Sequence, residues 1–146
     1  MAVGVPPARQ LLLLVEDDLP LRQLYKLELE LRGYSVLVAA DGDGALEIID
    51  SGYRPALLIL DLGLPRVSGL TVADEFAAHP ATSTIPIVVV TGSGENIDEP
   101  RFARVLRKPV SPEALSDVVE QCLRAQRATA PDRKADSHRR KERNRV

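Results

Sequence analysis

Short, largely apolar runs of four to six residues, returning at intervals along the chain, constrain this sequence most. Leu11–Val15, Tyr34–Ala39, Ala56–Leu60 and Ile85–Val90 are the strong ones, and Val105–Leu106 is a weaker fifth. None alternates apolar with polar residues. Strands covered on both faces read this way, whereas a strand with one wet face alternates.

The segments between the runs carry helical periodicity. Leu21, Leu24, Leu27 (or Glu28) and Leu31 step round one predicted face, and Gly33 supplies a stop. Ala45, Leu46 and Ile49 make a shorter stripe that ends at Gly52. Leu70, Ala73, Phe76 and Ala77 make a third, closed by Pro80. The last is the most regular: Ser111 can cap, Pro112 takes the first helical position, and Leu115, Val118, Val119, Cys122 and Leu123 follow at helical spacing. Strand and helix in alternation imply parallel strands joined by right-handed crossovers. The expected fold is α/β, a doubly wound five-stranded parallel sheet.

Three regions are expected: an N-terminal extension over 1–9, one domain over 10–126, and a basic, disordered tail over 127–146. The net charge of −2 conceals the contrast, because the last twenty residues hold eight Lys/Arg against three Asp/Glu. A single cysteine, Cys122, excludes an intrachain disulfide and suits a reducing compartment. The apolar run at Leu11–Val15 is too short for a signal peptide or a membrane span. A cytoplasmic protein is expected, without membrane partners. Three Tyr, two Phe and no Trp leave little aromatic surface for stacking bases. The tail is too short for a DNA-binding fold, so a nucleic-acid partner is not expected.

Ligands of open parallel sheets bind beyond the carboxyl ends of the strands. Four of the five predicted strands end in a polar group there: Glu16, Asp17 and Asp18; Asp61; Thr91; and Lys108, followed by Pro109. Asp18 is also placed to cap a helix. Carboxylates gathered at one edge repel one another, and a bound cation offsets that cost. The donor atoms are all oxygen, which favours a hard ion, Mg²⁺ or Mn²⁺, over Zn²⁺.

The segments "LLLLVEDD", "LLILDLGLPRVSG", "IPIVVVTGSG" and "RVLRKPVSPEAL" together resemble the receiver domain of two-component response regulators, over about residues 10–126. The resemblance implies a flavodoxin-like fold and a set of roles. Asp61 would be the phosphoacceptor. Glu16, Asp17, Asp61 and the backbone carbonyl of Gly63 would hold Mg²⁺. Thr91 and Lys108 would bind phosphoryl oxygens, and the bond matching Lys108–Pro109 is usually cis. The implied donor is a histidine kinase or a histidine phosphotransfer protein, and the implied output is contact with a downstream protein, or passage of the group along a phosphorelay. Expected to be a stand-alone, single-domain response regulator, it would assist its own phosphorylation and dephosphorylation without acting on an external substrate, as a monomer or weak dimer.

The chain departs from the family pattern in three places. Glu16 stands where many members have Asp. Lys108 follows Thr91 by only 17 positions, fewer than usual, and Gly92, Gly94 and Pro100 interrupt the interval. A short turn or mobile loop is therefore expected in place of a fourth helix. Val105 occupies the switch position that usually carries Tyr or Phe, so the aromatic switch is absent and signalling is expected to run from Thr91 into the 92–103 loop. His79 and Cys122 are expected to be structural, and Arg101, Arg104 and Arg107 a solvated basic strip. Two alternatives remain at this level. The chain could be a receiver fragment of a longer hybrid kinase or regulator. It could instead be a Mg²⁺-dependent phosphatase-like enzyme, although such enzymes usually carry a second Asp where this chain has Gly63.

Overall fold

The computed structural model describes residues 8–92, 97 and 100–129. Chain order is β1 (Leu11–Val15), α1 (Leu19–Leu31), β2 (Ser35–Ala39), α2 (Gly42–Asp50), β3 (Leu57–Leu60), α3 (Gly69–Ala78), β4 (Ile87–Thr91), β5 (Arg104–Arg107) and α4 (Pro112–Thr129). All strand pairs are parallel, in the order β2-β1-β3-β4-β5. This is the expected doubly wound sheet.

Alternate residues of the strands feed two cores. Leu12, Leu14, Leu57, Ile59, Val88 and Val90 pack under α1 and α4. Leu13, Val15, Leu58, Leu60 and Val89 pack under α2 and α3. Burial on both faces explains why the three central strands, β1, β3 and β4, read as apolar runs, whereas the edge strands β2 and β5 are only partly covered.

Helix ends follow their local chemistry. Ser111 Oγ accepts from the Ala114 amide at 3.1 Å. Asp41 caps α2 by accepting from the Gly44 amide at 2.7 Å, and Ser68 caps α3 through Thr71. His79 closes α3 and its Nδ1 accepts from the Ala81 amide. Asp18 precedes α1 but its side chain makes no capping bond, contrary to expectation. The helix begins instead with Pro20 near its start, where a missing N–H costs nothing.

The expected stripe on α1 needs a larger correction. The helix buries Tyr25 and Leu29, with Leu21 partly covered. Leu24, Leu27 and Leu31 are 50, 57 and 76% exposed. Tyr25 takes the central place on the buried face: its ring lies in the core while its hydroxyl donates to the Val110 carbonyl at 2.8 Å. That polar partner makes burial of a tyrosine cheap, and it rotates the helix away from the leucine series.

Between β4 and β5 the described residues form no helix. The segment nevertheless buries apolar side chains. Phe102 is buried in the core under α2 and α3, and Ile97 packs against the same cluster. Residues 93–96 and 98–99, on which the rest of the expected loop falls, lie outside the described residues, as do the extension before Ala8 and the tail after Thr129. Helix α4 runs to Thr129, three residues past the expected end of the domain.

Candidate functional site

Sheet register brings the polar strand ends together. Val15 pairs with Leu60, so the next residues, Glu16 and Asp61, emerge side by side between the first two strands to diverge in winding direction. The ladder continues through both: the Asp61 amide donates to the Val15 carbonyl and the Glu16 amide to the Ala39 carbonyl, each at 3.1 Å. At the other edge Thr91 pairs with Arg107, and the Lys108 amide donates to the Thr91 carbonyl at 3.0 Å. Lys108 is thereby held one residue beyond β5, at the level of the acids.

The side chains then converge. One carboxylate oxygen from each of Glu16, Asp17 and Asp61 lies within 4.8 Å of the others. Lys108 Nζ donates to Asp61 Oδ2 at 3.0 Å and to both Glu16 oxygens at 3.0 and 3.1 Å. Asp61 Oδ1 accepts from the Gly63 amide at 2.9 Å, so both acceptor oxygens are oriented. Glu16, Asp61 and Thr91 are buried, whereas Asp17 is exposed. The Lys108–Pro109 peptide is cis.

The loop after Asp61 depends on Gly69. A Cβ there would sit 2.4 Å from the Asp61 carbonyl oxygen and 2.6 Å from Leu62 Cα. Glycine therefore lets α3 begin directly beneath the acidic residue. Val105, half-buried, packs with Phe102 on the α2–α3 side. Of the arginine strip, Arg101 pairs with Asp74 and Arg104 donates to Gln121.

Burial pushes the Glu16 carboxyl above its ordinary value, and the neighbouring charge of Asp61 adds to that, while the Lys108 bond opposes it. Burial draws Lys108 down, yet its bonds to Asp61 and Glu16 outweigh the loss and hold its pKa above the usual lysine value. The Lys108 ammonium thus pairs with both buried acids. The set of three oxygen donors, one of them exposed, fits a hard divalent ion that keeps part of its water shell. Sequence reasoning found every member of this cluster. It missed Arg22, whose Nη1 donates to the Glu16 carbonyl at 2.8 Å, because contacts to backbone leave no signature in a motif.

Comparison with known proteins identifies relatives. The family model described as the response regulator receiver domain matches residues 12–120. The transcriptional regulatory protein CpxR of Escherichia coli is 37% identical over 87 residues, 60% of this chain and 35% of the relative. The phosphate regulon regulatory protein PhoB of Pseudomonas aeruginosa is 31% identical over 118 residues, 77% of this chain and 51% of the relative. The chain therefore spans about half or less of the length of these curated relatives. Among solved structures, a CheY-like receiver domain from Methanospirillum hungatei superposes with TM-score 0.74 at 25% identity, covering 83% of this chain and 98% of the other. The receiver domain of a LuxO repressor protein from Vibrio parahaemolyticus gives 0.73 at 27%, covering 83 and 95%.

Proposed function

Because this chain belongs to the response regulator receiver family of two-component signalling, we propose that it accepts a phosphoryl group on Asp61 from a histidine kinase or a histidine phosphotransfer protein. The observation that carries the reading is the convergence of Glu16, Asp17, Asp61 and Lys108 at the carboxyl edge of the sheet. In the proposed step an Asp61 oxygen attacks phosphorus, the phosphorus–nitrogen bond to the donor histidine breaks, and the histidine keeps that electron pair. The product is an acyl phosphate.

Phosphoryl transfer asks the protein for position and for charge balance. The Gly63 amide and Lys108 fix the Asp61 carboxylate before the donor arrives. Lys108 then pairs with an oxygen of the bound group, and the Thr91 hydroxyl, at the end of β4, binds another. Glu16, Asp17, Asp61 and the Gly63 carbonyl would hold Mg²⁺ or Mn²⁺, which when bound supplies positive charge to the transferred group.

As a receiver domain the chain is not a classical enzyme. Its output is read as protein contact, or as passage of the group along a relay, whether it acts alone or within a longer protein. No helix among the described residues is long and apolar enough to cross a membrane, and a cytoplasmic site of action is proposed. The test is intact mass after incubation with Mg²⁺ and a small phosphodonor such as acetyl phosphate. Wild type should gain one phosphoryl group and Asp61→Asn none. An equal gain in both would place the acceptor elsewhere.

A further inference from the structure

Arg22 lies in the first turns of α1, outside the acidic cluster, yet its guanidinium folds back onto the β1–α1 loop. Nη1 donates to the Glu16 carbonyl at 2.8 Å and reaches the Asp17 carbonyl at 3.5 Å. These oxygens belong to the two peptide units on either side of the Asp17 Cα. The second of these units has a further restraint, and the unit just before the first is anchored to the sheet, because the Glu16 amide is tied to the Ala39 carbonyl of β2 at 3.1 Å. The Asp18 amide, on the far side of the second unit, donates to Glu16 Oε1 at 3.3 Å.

The orientation of two successive peptide planes fixes φ and ψ of the residue between them, and hence the direction of its Cα–Cβ bond. Asp17 needs such help most. Glu16 and Asp61 are buried and bonded to Lys108, whereas the Asp17 side chain is exposed. No packing surrounds its carboxylate, so its backbone must aim it.

We propose that Arg22 is a positioning residue for the cation site, aiming the Asp17 carboxylate by clamping the peptides on both sides of it. The inference rests on the receiver reading above, in which Asp17 is a Mg²⁺ ligand. It adds that the affinity of the site is set partly by a side chain that touches neither ion nor phosphoryl group. Groups behind the ligands commonly act on this scale, about 10–100-fold in metal affinity.

The sign of the effect separates this role from a simple charge effect. Arg22 is a cation close to a cation site. Were charge its only contribution, removing it would relieve repulsion and tighten Mg²⁺ binding. Loss of the clamp weakens binding instead. Mg²⁺ affinity should be measured by calorimetric titration of the whole chain, for wild type, Arg22→Met and Arg22→Lys, with the melting temperature taken in chelator and in saturating Mg²⁺. The expected result is binding weakened roughly tenfold in Arg22→Met, with the lysine variant between, and a smaller Mg²⁺-induced rise in melting temperature. Unchanged or tighter binding in Arg22→Met, with wild-type binding intact, overturns the role of Arg22 and leaves the receiver reading standing. No Mg²⁺ binding and no phosphoryl gain in wild type overturns both. If Arg22→Met fails to fold, the lysine variant decides by the same criterion, since it keeps the charge and shortens the reach.

Discussion

At the scale of single residues, Lys108 is the one on which the resting site depends. Two buried carboxylates, Glu16 and Asp61, face one ammonium that is itself about a quarter open to water. Replacing one partner of a fully buried pair costs roughly 3–5 kcal/mol, because the other charge is stranded. Solvent at Nζ reduces that here. Lys108→Met should destabilise the metal-free chain by about 2 kcal/mol, and saturating Mg²⁺ should recover most of the loss. Chemical denaturation with and without Mg²⁺ checks both parts. A variant as stable as wild type in chelator would mean that the acids are balanced by some other group.

At the scale of elements, α1 shows periodicity and burial parting company. The leucines at 24, 27 and 31 form a regular series, and Leu21, Tyr25 and Leu29 form another on the same helix. Only the second is turned into the core. The site also bears on this choice, since Arg22 must face the β1–α1 loop to reach the Glu16 carbonyl. Leu29→Ala should cost about 2–5 kcal/mol, whereas Leu24→Ser and Leu27→Ser should each stay within roughly 0.5 kcal/mol of wild type. Urea unfolding of the three variants is sufficient. Comparable losses at 24 and 29 would show that the exposed leucines are covered in solution. Between β4 and β5 the same lesson recurs. Phe102 and Ile97 are isolated apolar residues in the sequence, yet Phe102 joins the core under α2 and α3 and Ile97 packs against it. A single large side chain can cover a sheet without any helical pattern to announce it.

At the scale of the whole molecule, proton binding gives a test of the fold itself. Burial raises Cys122 above its ordinary 9.0 and Tyr25 and Tyr34 above 10.0. Lys108 is lifted above 10.5 because its bonds to Asp61 and Glu16 outweigh its burial. All four shifts have one sign. The folded chain keeps these protons to higher pH than the unfolded chain does, so ∂ΔG/∂pH is negative in that range. The stability they contribute is complete below about pH 8 and is lost as pH rises through the folded values. The melting temperature should therefore fall steadily from about pH 8.5 to 11. A flat profile would mean that these groups titrate normally.

The sequence by itself determined the strands, their parallel arrangement and the membership of the acidic cluster. An unbroken apolar run demands cover on both faces, and the polar residue ending each run in a parallel sheet must fall at the same edge. Those are local patterns with one physical solution. Only the tertiary structure decided which face of α1 is buried, that Asp18 leaves its helix uncapped, that Phe102 fills the core, and that Arg22 holds the loop behind Asp17. Each of these turns on a partner distant in sequence or on a backbone carbonyl, such as Val110 for Tyr25, and neither is written in the spacing of side chains.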